Sequence, residues 1–571
     1  MKRCLVLIAA LAAQPVLSVA AVAYPQGTAG SPIPCQAAVP CDRQGENAAR
    51  GASRFYVAVS GSDENAGTQS EPWRTIAKVN SSAPPGSLVS FNGGDTFSTT
   101  TGIVVNVSVT SYGVGQAVVS SDNTAPCIRQ INPAGLSITN IGCIGGGNRT
   151  NKTSGISVIN DQVGNTKLAG PTIDNVTVSG FGLNGIEVKG LNGTSGFSGI
   201  KITNSTVHDV TGNGGVATGC IVVASGPGYG TNNVHSNVLI SNALVYNCTG
   251  TAGQTNWTGS GIVVSETQDA VIQYSVAHDF GSANTNCGGP VGIWTYDSDR
   301  VTIQFNEAYN GRTNTGAGGC DGGGFDLDGG VTNSIMQYNF AHNNASSGFL
   351  FDSYEDDKVK TWDNNTARFN ISQNNIQAEF NWVATSTMRS PKMYNNTAYA
   401  GRSGICFDTS FGGGTMDGTP LVANNVFFGL VGRRIIHVPN AQMMLVGNDY
   451  FGSTKFSWRS VDYTSFAAWQ LATGREIIDG ENVGLTSDPQ IYAPGGGVTV
   501  GGYVPAKLTA YNLQAGSPMI RAGINLESRY GINPGTQDYY GVPVAAASLP
   551  VGAAAGAPTA STAAPSAPVQ R

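Results

Sequence analysis

Along much of the chain, apolar and polar residues alternate in short runs that open on a glycine. SGISVIN at Ser154, NGIEVKG at Asn184, SGIVVSE at Ser260, VGIWTYD at Val291, GGFDLDG at Gly323, SGFLFDS at Ser347 and SGICFDT at Ser403 share this form. A second run recurs between them, as KITNSTVHD at Lys201, VLISNALVYN at Val238, AVIQYSVAHD at Ala270, VTIQFNEAYN at Val301, SIMQYNFAHN at Ser334 and PKMYNNTAYA at Pro391. Alternation with a period of two describes a strand with one buried and one outward face. The pair repeats about every thirty residues, and neither run can bury its apolar face without a neighbour. Stacked coils supply that neighbour, so the pattern predicts an all-β solenoid, a parallel β-helix over residues 54–433. A propeller or a sandwich would need longer strands and regular Asn-Gly hairpin turns, which are few here.

Aligning the coils separates structural columns from candidate chemistry. Asn306, Asn339, Asn365, Asn396 and Asn425 fall at one position of successive coils, the pattern of an internal amide ladder at a turn. His208, His278 and His342 share a position with Tyr246, Tyr309 and Tyr399, so that site asks for a flat ring to stack. His235 and His437 fit no such pattern, and no Ser/His/Asp triad is indicated.

The outward positions carry the chemistry. Counted from each glycine, positions two and four face out, giving Trp294 and Tyr296, then Asp326 and Asp328, Leu350 and Asp352, and Cys406 and Asp408. NNIQAEF at Asn374 supplies Glu379 at position four. This alignment predicts a column of Asp328, Asp352, Glu379 and Asp408, with about 4.8 Å between coils, and Asp326 about 6.6 Å along the strand. Glu266 and Asp297 follow at the strand ends. Outward acids are common on exposed sheets, but four in register beside two aromatics are unusual in a chain only 12% charged. Clustered carboxylates raise one another's pKa, which yields a protonated acid beside an ionised base; they are also oxygen ligands that could hold Ca²⁺. No EF-hand loop or phosphate loop is present, and no Cys/His spacing indicates zinc.

The rest of the chain sets context. Residues 1–23, with Lys2, Arg3, an apolar run from Leu5 and Ala21-Val22-Ala23, read as a secretory signal peptide, so the mature protein is expected to be secreted, extracellular or periplasmic. A loose lead-in follows at 24–53, a closing segment is expected at 434–544, and an Ala/Pro/Ser-rich tail at 545–571 is expected to be disordered. A net charge of -6 without basic runs argues against nucleic acid and anionic membrane as partners. Export makes disulfides reasonable; with Cys4 lost in the signal peptide, chain order suggests Cys35 with Cys41, Cys127 with Cys143, Cys220 with Cys248 and Cys287 with Cys320, leaving Cys406 single.

The segments FYVAVSGSDENAGTQSEPWRTIAKVN at Phe55, PPGSLVSFNGGDTF at Pro84 and VTSYGVGQAVV at Val109 resemble the opening segment and first coils of secreted right-handed parallel β-helix proteins of the pectate-lyase-like superfamily. YTSFAAWQLATG at Tyr463, a short amphipathic helix, TSDPQIY at Thr486 and AYNLQAGSPMIRAG at Ala510 resemble their closing segment. The resemblance implies a right-handed β-helix with an N-terminal cap and a C-terminal closing segment. It also implies a polysaccharide or oligosaccharide partner lying along one outer sheet. It does not select an activity, and the polygalacturonase motifs are absent. The first expectation is a glycoside hydrolase with Asp326 and Asp328 as acid and base, Asp352 and Glu379 as alternates, and Trp294, Tyr296, Asp297, Glu266, Asp408 and Arg312 binding substrate. A Ca²⁺-dependent polysaccharide lyase is the second; it would need Arg312, Lys358, Arg389 or Arg402 to reach in from loops. A non-catalytic carbohydrate-binding surface protein is the third. Sugar, linkage and oligomeric state stay open.

Overall fold

In the computed structural model, the described residues are 53–556, apart from 123, 149, 213–216, 227–232, 255–256, 287, 314–321, 355–360 and 440–441. The chain divides into Met1–Ala49, outside those residues, and Arg50–Arg571, which holds every element below. The expected signal peptide, the lead-in up to residue 52 and the Cys35–Cys41 pair therefore lie outside the described residues.

Short strands succeed one another through three long sheets of 16, 13 and 13 strands, and almost every pairing is parallel. Each coil contributes one strand to each sheet, which makes the fold a right-handed parallel β-helix. The inward side chains of all three sheets form one apolar core from Val57 to Trp469. Like residues stack on like: Phe325, Phe349 and Phe380 lie nearly parallel with ring centroids 5.0 Å apart. At the N-terminal end, helix α1 (Ile76–Ser82), capped by the Thr75 hydroxyl, buries Ile76 and Val79 over the first coil.

Buried amides hold the corners in register. Between the first and second sheets, Asn306 donates its backbone N–H and its Nδ2 to Asn339 Oδ1, at 3.0 and 3.1 Å. The bond repeats through Asn370, Asn396, Asn425 and Asn448. Asn370, and not Asn365 as expected, occupies the third rung. Asn365 instead accepts from the Ser334 N–H at the corner leading into the first sheet. The ladder ends on Glu476, whose carboxyl accepts from Asn448 and from the Tyr450 hydroxyl. On the second sheet, His208, Tyr246, His278, Tyr309 and His342 stack with centroids 4.7 to 5.2 Å apart, the flat-ring role expected of them.

Coils continue past the expected boundary at residue 433. Arg434–Val438 and Lys455–Trp458 extend the third sheet, Met444–Val446 the first and Asp449–Phe451 the second. Helix α2 (Phe466–Thr473), with Ser465 as N-cap and Gly474 as left-handed C-cap, then sets Trp469 against Phe456 and Tyr450 and closes the core. The following chain does not stay at that end. It returns along the outside of the second sheet, where Ile491, Leu508, Met519 and Val551 bury Tyr338, Phe340, Ile371 and Val426. The Glu307 carboxylate fastens it, accepting the N–H groups of Val500, Gly501 and Gly502 at 2.7 to 3.0 Å. Leu549, Val551, Ala553 and Ala554 are buried, so the packed segment continues past the expected boundary at 544.

Cys127–Cys143 and Cys220–Cys248 are disulfide-bonded, and Cys406 is a buried free thiol. Cys287 and Cys320 lie outside the described residues. Among the described residues no helix is long and apolar enough to cross a membrane.

The amide ladder has a testable cost. Asn370→Ala strands the buried Asn339 N–H and Nδ2 groups and should lower stability by about 3 kcal/mol or more. Chemical denaturation measures this, and a loss within about 0.5 kcal/mol would show that the ladder does not hold the coils.

Candidate active site

The outer face of the third sheet carries the acids, and strand pairing fixes which of them are neighbours. Phe325, Phe349, Phe380 and Phe407 pair in turn and point inward. One outward row therefore runs Trp294, Asp326, Leu350, Asn381, Asp408, His437 and Ser457. The next row, two residues along, contains Ser265 paired with Tyr296, and Asp352 paired with Val383. Asp328 joins this second row between Tyr296 and Asp352, because Leu327 pairs with Phe351 and the Asp328 N–H continues the ladder to Thr295 O at 3.0 Å.

The acids thus form two rows and not one column of four. Asp328 and Asp352 are adjacent as expected, but Asp408 belongs with Asp326. Aligning SGICFDT on its glycine placed Gly404 opposite Gly348, whereas Cys406 holds that place. A two-residue slip preserves the inward and outward faces, so alternation alone could not reveal it.

Glu379 is not on the outer face. It takes the inward position that Gly348 holds one coil earlier, where a Cβ would meet Ser372 Oγ at 2.1 Å and Asn375 Nδ2 at 2.7 Å. Those same groups donate to the Glu379 carboxyl, from Ser372 Oγ at 2.7 Å and Asn375 Nδ2 at 2.5 Å. Asn344 donates to Asn375 in turn, so Glu379 ends a second amide ladder as Glu476 ends the first. Burial pushes its pKa up to about 8 against these hydrogen bonds. Glu379 therefore faces into the coil and, against expectation, does not join the outward acids.

The aromatic pair is also placed differently from expectation. Trp294 and Tyr296 face outward but are only 3% and 5% exposed. Trp257 packs edge-on against both, and Trp294 Nε1 donates to Ser260 Oγ at 3.1 Å. Together they form an apolar cluster that bounds the acid rows on their N-terminal side, not an open stacking platform.

Glu266 and Asp297 occupy successive left-handed corners, with φ of 50° and 48°, and are fully buried. The Ser225 N–H donates to Glu266 Oε2 at 2.6 Å, which makes that carboxylate a corner support. Asp297 stands closer to the acids, since its N–H donates to the carbonyl of Gly329, next to Asp328. Arg312 is exposed and forms no ion pair among the described residues; Lys358 lies outside them. Arg389 and Arg402 are exposed.

The carboxyls differ in environment. Asp326 is 3% exposed, whereas Asp328 is partly open and accepts the Gly329 N–H at 2.6 Å. Asp352 Oδ1 is buried with no hydrogen-bond partner among the described residues, and burial pushes the carboxyl from 3.8 up to about 7. Further along the first row, Asp408 Oδ1 and His437 Nδ1 lie 2.8 Å apart, and the carboxylate raises the pKa of the imidazole. His437 was not singled out in the sequence. Continuing the alternation of RIIHV, with Ile436 inward and His437 outward, would have found it. Among the described residues no three His, Cys, Asp or Glu side chains come together as a cation cage.

No family model matches the chain, and no curated protein does. Several solved structures share its architecture. A GH136 lacto-N-biosidase from Eubacterium ramulus superposes with a TM-score of 0.45 at 15% identity, over 64% of this chain and 68% of its own. A pectate lyase gives 0.35 at 12% identity, over 89% and 97%. The A-module of a mannuronan C-5 epimerase from Azotobacter vinelandii gives 0.37 at 16%, over 63% and 100%.

The Asp352 environment predicts a pH effect. Its folded pKa lies above the unfolded value, so it favours the folded state fully below about 4 and that contribution is lost as pH rises toward 7. Asp352→Asn lacks this titration and should gain stability relative to the parent between pH 5 and pH 8. Equal offsets in denaturation midpoint at both pH values would contradict the assignment.

Proposed function

We propose that the protein is a secreted carbohydrate-active enzyme, a glycoside hydrolase working on the outer face of the third sheet. The observation that carries this reading is the pairing of unlike carboxyls on adjacent strands. Asp352, pushed up to about 7 by burial, is available as the proton donor to a glycosidic oxygen. Asp328, partly open and accepting the Gly329 N–H, is the facing carboxylate.

Neighbouring positions on paired strands lie about 4.8 Å apart, close to the separation used for double displacement with retention. In that reaction Asp328 attacks the anomeric carbon while Asp352 protonates the departing oxygen. Asp352 then removes a proton from the water that releases the sugar, and Asp328 leaves as carboxylate. Asp326, about 6.6 Å along the strand from Asp328, is as buried as Trp294 and is given no substrate contact. This revises the Asp326 and Asp328 pair expected from the sequence, because Asp352 has the environment of an acid and Asp326 does not line up across from it.

A polysaccharide lyase is the second reading, favoured by the Asp408–His437 pair, whose imidazole is partly exposed on the same row. It would use His437 as the base on a uronate.

Product analysis on neutral and acidic polysaccharides separates the readings. The hydrolase reading expects new reducing ends without the ultraviolet absorbance of an unsaturated uronate, and a loss of about 10²–10⁴ in kcat for Asp352→Asn and for Asp328→Asn. Full activity in the double variant would overturn it. Absorbance that disappears in His437→Ala would select the lyase, and binding without products would leave a carbohydrate-binding protein.

A further inference from the structure

A cavity of about 570 Å³ opens on the outer face of the first sheet, away from the acid rows. It is lined by Asp363, Ser390, Lys392, Thr419 and Leu421 and by Tyr530 at the end of helix α3 (Leu526–Tyr530). The volume falls in the range of sites for small ligands.

The polar side is built around Lys392. Its Nζ donates to Asn364 Oδ1 at 2.5 Å and to the Ser390 carbonyl at 3.3 Å, which leaves one N–H for a ligand. Asn364 is held in turn by its own donation to Asn333 Oδ1 at 2.8 Å, so the ammonium is fixed by neutral acceptors. Asp363 supplies the compensating charge through space. Its carboxylate makes no hydrogen bond among the described residues. A donor from Lys392 and an acceptor from Asp363 suit a hydroxyl that both gives and takes a hydrogen bond. Tyr530, partly exposed among the lining residues, supplies an aromatic surface suited to the apolar face of a pyranose.

We propose that this cavity binds a neutral pyranose unit, independently of the acid rows and of whether they turn substrate over. A uronate would bring its carboxylate against Asp363, which is why the ligand is assigned as uncharged. The arrangement would let the protein hold a glycan at a second face.

Saturation-transfer NMR with methyl glucoside, methyl galactoside, methyl xyloside and methyl galacturonide tests this on the full chain. The Asp328→Asn, Asp352→Asn double variant takes away the two carboxyls proposed to turn substrate over. Transfer to at least one neutral glycoside is expected in both the parent and the double variant. Lys392→Met should weaken it about tenfold or more, the loss of a charged hydrogen bond. Thr419→Trp, which fills the cavity from its exposed rim and breaks no hydrogen bond, should abolish it even if the lysine variant folds poorly. No transfer from any neutral glycoside, preference for the galacturonide, loss in the double variant, or persistence in Thr419→Trp would each overturn the proposal.

Discussion

Everything in this molecule depends on each coil finding its partner in the next coil. A strand of three to seven residues has too little apolar surface to stand alone, so its inward face and its backbone groups are satisfied only by the coils above and below. That constraint stacks equivalent positions about 4.8 Å apart along the axis. Inside, it turns repeated asparagines into hydrogen-bonded ladders and repeated phenylalanines into columns of rings. Outside, it places carboxylates on neighbouring strands whether or not they repel. The ladders stop where a carboxyl takes the place of the amide, at Glu379 and Glu476, and burial raises the pKa of both.

The same stacking accounts for the chemistry proposed for the third sheet. An outward acid on a single exposed strand would keep an ordinary pKa. Asp352 does not, because one of its oxygens is enclosed. The Trp257, Trp294 and Tyr296 cluster lies just before the acids along the axis. Structural and chemical carboxyls are thus separated by direction: Glu379 faces into the coil, Glu307 outward from the second sheet onto the returning chain, and Asp328 and Asp352 outward from the third.

Repetition made the architecture readable and also set the limit of the reading. The glycine-led runs state the coil length directly, and the ring column from His208 to His342 follows from it. Where the repeat drifts, register is lost. Asn365 and Asn370 lie five residues apart, and each follows a residue in the left-handed conformation, Asn364 and Phe369, so both look like the same corner. Gly404 drew Asp408 into the wrong row because a slip of two leaves every side chain on its proper face. Glu379 was misassigned because it fills a place that glycine fills elsewhere. The return of the C-terminal chain did leave a signal: Phe340, Ile371 and Val426 are apolar at outward positions of the second sheet, which only a covering segment explains. The cavity around Lys392 could not be read, since it joins residues from Asn333 to Ile532 through the path of that returning chain.

The account rests most directly on the protonation of Asp352. A pH titration of its side-chain carboxyl carbon by NMR, in ¹³C-aspartate-labelled protein and assigned with Asp352→Asn, measures it without reference to any substrate. The account predicts a midpoint of about 7. A midpoint near the ordinary 3.8 would mean that the carboxyl is ionised at neutral pH and that the adjacent strands do not hold an acid beside a base.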